Sequence, residues 1–210
     1  MDIVGATLGL IVAGPLMLSI GLVIKLTSRG PVLFRQTRTG KDNTRFTMLK
    51  FRTMRLVNNL HGPSVTRVDD PRLTSLGRWL RRYKLDELPQ LAHVLIGDMS
   101  LVGPRPKVPS HQVEVLLYKP GITGASSLAF RWEEHLLANI QPAMLEQYQI
   151  EVLSPLKNAL DCDYMKHAKW ASDCQLLILT LLGREINKAI LRTRYDTSYS
   201  GPQKLDQTIS

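Results

Sequence analysis

LDELPQLAHVLIGDMSLVGPRP, Leu85 to Pro106, is the stretch on which the fold turns. A helix opens at about Leu85, because Pro89 is tolerated only in a first turn, and Gly97 ends it. Turn-rich LVGPRPKVP then closes the segment. This places Asp86 and Glu87 side by side at a helix start, where free backbone N–H groups and the helix dipole should hold both carboxylates ionised. Ionised carboxylates serve as metal ligands and nucleophiles rather than general acids, and adjacent helical side chains diverge by about 100°, so the two can hold different partners. Acids in a first turn are also ordinary capping residues, and the pair alone says no more than that.

Upstream, Leu76, Leu80 and Tyr83 recur at helical spacing from about Thr74, beside Arg78, Arg81 and Arg82. Before them, VLFRQ and RFTMLKFRTM read as two strands joined by a turn at Thr39-Gly40-Lys41-Asp42-Asn43, a basic hairpin. Residues 57–70 read as a loop. Downstream, YKPGITG is a rigid turn, and Pro142 and Pro155 interrupt a helical region. Trp170 to Ile190 carries an apolar run suited to a core helix or one lying at a membrane interface. Residues 193–210 read as a disordered tail. Strands and helices in this order predict a helix-rich α+β domain over residues 27–192.

Ahead of the hairpin, Ile3 to Ile24 is 22 residues without a charge, long enough to cross a hydrocarbon core. Gly14-Pro15 falls in its middle, where proline removes a backbone hydrogen bond. The residues admit either a straight span or a helix that breaks there and returns through one leaflet. Between Lys25 and Arg55 stand nine basic residues and one acid, Asp42, a local charge of +8 in a chain whose net charge is +9. Beside an apolar segment, such a block suits lipid headgroups and phosphates better than a nucleic-acid duplex, and it puts the following domain in the cytoplasm. Cys162 and Cys174 lack C-x-x-C spacing, and His61, His93, His111, His135 and His167 lack metal-ligand spacing, so neither zinc nor a disulfide framework is expected.

The company of the acidic pair sharpens its reading. Lys50, Arg52 and Arg55 lie on the hairpin, Arg78, Arg81 and Arg82 just upstream, and Arg105 is fixed between Pro104 and Pro106. Carboxylates for a divalent cation and rigid guanidinium donors for phosphate oxygens are what a diphosphate substrate requires.

GPVLFRQTRTGKDNTRFTMLKFRTMR (Gly30 to Arg55), DPRLTSLGRWLRRYKLDELPQLAHVLIGDMSLVGPRP (Asp70 to Pro106) and YKPGITG (Tyr118 to Gly124) resemble, in order and spacing, the bacterial sugar transferase family of monotopic polyprenyl-phosphate phosphoglycosyl transferases. The resemblance implies a re-entrant membrane helix over residues 1–26, broken at Gly14-Pro15, and a small cytoplasmic catalytic domain. It implies an Asp-Glu catalytic dyad at Asp86 and Glu87, Mg²⁺ as cofactor with Glu87 as its ligand, and phosphate or nucleotide contacts at Lys50, Arg52, Arg81, Arg105, Arg131 and Asp161. The implied reaction moves a sugar-1-phosphate from a UDP-sugar to undecaprenyl (polyprenyl) phosphate at the cytoplasmic face of a bacterial inner membrane, priming exopolysaccharide, O-antigen or other glycan assembly. It leaves room for a homodimer.

Three departures from the pattern stand out. The basic stretch usual before the apolar segment is missing, so a truncated start is expected; ASSLAFR (Ala125 to Arg131) replaces a more usual Ala-Gln-Val-Asn-Gly-Arg; and the stretch between Trp132 and Leu160 is longer. A non-catalytic membrane adaptor is the rival reading, and the intact set of Asp86, Glu87 and Arg105 argues for the enzyme.

Overall fold

The structure, a computed structural model, describes residues 1–55, 70–111, 115–131, 133–138 and 140–183. The 57–70 loop falls almost wholly outside the described residues, as does the 193–210 tail.

The chain opens with α1, Asp2–Thr27, a single helix that continues through Gly14 and Pro15. This differs from the expected break. Pro15 has no N–H to give the Ile11 carbonyl, but its ring φ is already helical, and the loss of one bond does not end a helix anchored on both sides of it. The hydroxyls of Thr7, Ser19 and Thr27 each donate to the carbonyl four residues earlier, so none projects as an unsatisfied group from an apolar helix.

Helix α1 is docked along its length. Its sheltered positions include Asp2, Gly5, Ala6, Gly9, Ala13, Met17, Ile20, Gly21 and Ile24, which recur at helical spacing. Ala6 joins Val94, Met99, Leu101, Leu128 and Leu176 in one core, and Ile20 and Ile24 join Phe51 and Leu80 in another. The approach is close: a Cβ added at Gly5 would lie 2.6 Å from Leu101 Cδ1. On the opposite face Ile3, Val4, Leu8, Ile11, Val12, Leu18 and Leu22 are exposed. Polar contacts fasten the helix near both ends as well. At one end Asp2 Oδ1 accepts the Leu101 N–H at 3.2 Å. At the other, Arg52 donates to the Arg29 carbonyl at 2.7 Å and the Ser28 carbonyl at 2.8 Å.

Strands β1, Leu33–Thr39, and β2, Arg45–Phe51, form the expected antiparallel hairpin, with Asp42 and Asn43 at positive φ in its turn. Helix α2, Ser75–Arg82, is capped by Thr74, whose side chain accepts the Gly77 N–H. The expected second helix comes in two parts, a 3-10 turn over Leu85–Gln90 that accommodates Pro89 and then α3, Leu91–Ile96, ended by Gly97 at φ 96°. Strand β3, Ser100–Val102, pairs in parallel with β4, Gly121–Thr123, where the sequence read only turns.

The remainder is helical: α4, Ala125–Ala129; α5, Glu133–Ala138; α6, Leu145–Tyr148; α7, Ser154–His167; and α8, Trp170–Leu181. A π-helical turn, Gln149–Leu153, carries α6 into α7, so Pro155 falls in the first turn of α7. Helix α8 contributes Leu176 to the core, as a core helix should, and leaves Trp170, Ile178 and Leu181 exposed. The helix-rich α+β reading therefore holds, with two small sheets and an N-terminal apolar helix.

Candidate functional site

Opposed residues of an antiparallel pair share a face, and the β1/β2 register couples Phe34 with Lys50, Gln36 with Met48 and Arg38 with Phe46. One face of the hairpin therefore carries Lys50, Gln36 and Arg38. Lys50 Nζ crosses to the 3-10 turn and donates to Glu87 Oε1 at 2.7 Å, with 16% of the Lys50 side chain and 8% of the Glu87 side chain exposed.

The acidic pair is delivered by a backbone reversal. After α2, Lys84 adopts a left-handed conformation at φ 58°, and the 3-10 turn starts from it with Asp86 and Glu87 both buried. A non-glycine residue in that region costs about 1–2 kcal/mol, and the reversal sets the Lys84 charge close to both carboxylates.

The two acids are shifted in opposite directions. Burial pushes the Asp86 carboxyl above its ordinary range, the neighbouring Glu87 charge adds to this, and Lys50, Lys84 and Arg81 offset only part. Burial also opposes ionisation of Glu87, but Arg105 and Lys50 override it and hold its pKa well below the usual value. For Asp86 desolvation outweighs what the short 3-10 turn can offer and moves its pKa up, opposite to the direction expected at a helix start. Asp86 Oδ1 is buried without a hydrogen-bond partner, while Glu87 Oε1 takes two cations.

Arg105 is the second of those cations. Its Nη2 donates to Glu87 Oε1 at 2.8 Å, and Glu87, ahead of burial, raises the guanidinium above its ordinary range. Three contacts fix its loop, which leaves β3 at Gly103. The Arg105 N–H donates to Asp161 Oδ2 at 3.3 Å, Arg38 Nη1 to the Pro106 carbonyl at 3.2 Å, and the Thr39 N–H to the Lys107 carbonyl at 2.9 Å. Asp161, on α7, also accepts the Ser126 N–H at 3.0 Å and the Ser126 hydroxyl at 2.7 Å. It is buried and ties α7 to α4 and to the Arg105 loop, a positioning arrangement.

Lys50, Glu87 and Arg105 are thus brought together beside Asp86. Arg81 lies within electrostatic reach of Asp86 and pairs with Glu134 on α5. Arg52 is placed elsewhere, its guanidinium spent on the carbonyls after α1. Arg131 lies beside Gly183 at the end of α8. Sequence reasoning missed Lys84, Glu133, Glu134 and Lys157. Lys157, buried, donates to Glu133 at 2.5 Å and stands over the Phe130 ring. It also missed the site role of Arg38, for which the alternation of Gln36 and Arg38 opposite Lys50 was the available signal.

The bacterial sugar transferase family model matches residues 1–184. A UDP-glucose:undecaprenyl-phosphate glucose-1-phosphate transferase of Escherichia coli (strain K12) is 36% identical over 199 residues, covering 90% of this chain and 40% of the relative. The protein of the same description in Xanthomonas campestris pv. campestris is 37% identical over 192 residues, covering 85% of this chain and 37% of the relative. A UDP-N-acetylgalactosamine-undecaprenyl-phosphate N-acetylgalactosaminephosphotransferase of Aeromonas hydrophila is 42% identical over 134 residues, covering 59% of this chain and 32% of the relative. The chain spans about two fifths, or less, of the length of these curated relatives.

Proposed function

The chain belongs to the bacterial sugar transferase family, and on that premise we propose that it transfers a sugar-1-phosphate from a UDP-sugar to undecaprenyl phosphate, releasing UMP, the priming step of a surface glycan. One observation carries the reading at the level of chemistry: a buried, unpartnered Asp86 oxygen beside a Glu87 carboxylate that holds Lys50 and Arg105.

Asp86 is the nucleophile. Its carboxylate oxygen bonds to the β-phosphorus of the UDP-sugar, the bond from that phosphorus to the bridging oxygen breaks, and UMP leaves with the electron pair. An oxygen of undecaprenyl phosphate then attacks the same phosphorus, and the Asp86 carboxylate departs as it was. Lys50 and Arg105 spread the charge of the transferred phosphoryl group, and Arg81 and Lys84 favour the ionised form of Asp86. Glu87 orients Lys50 and Arg105. A cluster of three metal-ligating side chains is absent among the described residues, and two adjacent carboxylates are the donor set that suits Mg²⁺, which completes its shell with water and phosphate oxygens. Held through Glu87, the ion would neutralise diphosphate charge and leave the Asp86 oxygen to attack.

The membrane arrangement follows from α1. Both ends are held by the same domain, which supports our reading that the helix rests on one leaflet with its exposed aliphatic face in lipid and both ends on the cytoplasmic side of the inner membrane. Removing the native cysteines and labelling a cysteine at position 2 in intact spheroplasts tests this; labelling from the periplasm refutes it.

For the chemistry, the purified protein is mixed with Mg²⁺ and UDP-sugar without acceptor. UMP release of about one equivalent per site and a phosphosugar adduct on the Asp86 peptide, absent in Asp86→Asn, are expected. UMP release only after undecaprenyl phosphate is added, with sequential kinetics, overturns the covalent scheme; absence of turnover with any UDP-sugar in both assays overturns the function.

A further inference from the structure

The charge at the site does not close on itself. Lys50 and Arg105 pair with Glu87, the charges of Asp86 and of the Lys157-paired Glu133 also act on Arg105, and burial and Arg105 together depress the Arg38 guanidinium to about 10, with Glu87 only partly opposing. Arg38 is half-buried on the hairpin face that carries Lys50, and its donors are only partly used. Nη2 meets Gln36 Oε1 at 2.6 Å and Nη1 meets the Pro106 carbonyl at 3.2 Å, but neither acceptor is charged, and Nε is buried without any partner. Five buried side-chain atoms among the described residues lack a hydrogen-bond partner, and three of them, Arg38 Nε, Asp86 Oδ1 and Gln90 Nε2, belong either to this cluster or to the 3-10 turn beneath it. A cation held next to another cation, with an open donor and no carboxylate of its own, is stable when an anion occupies the space between them.

We propose that Arg38 is a substrate-binding residue, which joins Arg105 and Lys50 in holding the diphosphate of the nucleotide-sugar donor. The proposal rests on the phosphosugar-transfer reading of the same site. Arg38 also buttresses the Pro106 carbonyl, so the test must separate direct contact from action through Arg105.

The separation comes from a double-mutant cycle on the full-length, detergent-solubilised protein, in which UDP and uridine are titrated calorimetrically in Mg²⁺. A charge-assisted guanidinium–phosphate contact is worth at least about tenfold in affinity. Arg38→Met is expected to weaken UDP binding about tenfold, leave uridine binding unchanged, and weaken UDP binding by a similar factor again when added to Arg105→Met. If Arg38 only positions Arg105, Arg38→Met has no further effect in the Arg105→Met background, and that result overturns the proposal, as does unchanged affinity in the single variant. Thermal melting without ligand reports whether each variant is folded. Should Arg38→Met fail to fold, Arg38→Lys decides: a loss of threefold or more for UDP but not uridine supports the contact, and equal affinity refutes it. Failure of the unmodified protein to bind UDP sinks the functional reading instead, and is distinguished by occurring without any substitution.

Discussion

Glu87→Gln removes the one carboxylate on which two cations converge, and the structure sets the size of the effect. Lys50 would stay in place with 16% of its side chain exposed and no acid facing it at hydrogen-bond distance. Removing one partner of a buried ion pair costs roughly 3–5 kcal/mol. The amide oxygen still accepts one hydrogen bond, worth about 1 kcal/mol, and Arg105, with 37% of its side chain exposed, is screened by water and adds little. The expected loss is about 2–4 kcal/mol, or roughly 4–16 °C in Tm for a chain of this size. The dependence on pH has a definite sign. Glu87 titrates below its unfolded value, so its stabilising contribution is full above about pH 4.5 and fades as pH falls through the folded pKa. The gap between wild type and variant should therefore narrow in acid. It should narrow again in alkali, because Lys50, already depressed chiefly by burial, loses its main counter-charge and sheds its proton more easily. Thermal unfolding in detergent across a pH series measures both. Adding Lys50→Met to Glu87→Gln should recover most of the loss. A deficit under about 0.5 kcal/mol, or a Lys50→Met cost that is the same with and without Glu87, refutes the assignment of Glu87 as the shared anchor.

Asp86→Asn should be at least as stable as wild type at pH 7 and indistinguishable below about pH 4: a raised folded pKa means that the carboxylate's charge opposes folding increasingly as pH rises through that pKa. A variant clearly less stable at neutral pH contradicts this. Asp161→Ala strips acceptors from the Ser126 and Arg105 N–H groups and should cost roughly 3–5 kcal/mol in urea unfolding, with Asp161→Asn much milder; equal costs would mean that the oxygens are not the anchors. Arg52→Met should expose the chain after α1 to trypsin at Arg29 without changing UDP affinity, since its guanidinium holds carbonyls there; a tenfold loss of affinity would restore it to the binding site.

Where the signal is local, the sequence and the structure coincide. Alternation and a turn rich in small polar residues locate the hairpin, Thr74 and Gly97 bound helices as caps do, and Pro89 falls where a first turn tolerates it. Where the determinant is a distant partner, they part. The β3/β4 pair is two three-residue strands, too short for any alternation, and it exists because Ser100 and Val102 find Gly121 and Thr123. Gly14-Pro15 looks like a break in isolation, yet the helix runs through it, fastened to the rest of the fold near both ends.

The site divides along the same line. The motifs that carry the family resemblance point to Asp86, Glu87, Lys50 and Arg105 as candidate site residues, and the structure brings these four together. The motifs do not identify the states of those residues. Asp86 and Glu87 are neighbours with the same charge, the same turn and nearly the same burial, and still one is pushed up and the other held down. The difference lies in residues 37 and 18 positions away from Glu87: Lys50 from the hairpin and Arg105 from a loop pinned by Arg38, Thr39 and Asp161. Both cations bond Glu87, which leaves the Asp86 oxygen without a partner. A nucleophile needs its lone pairs free, and an orienting carboxylate needs them occupied. On the proposed scheme, the tertiary fold divides the two roles by deciding which acid the distant cations reach.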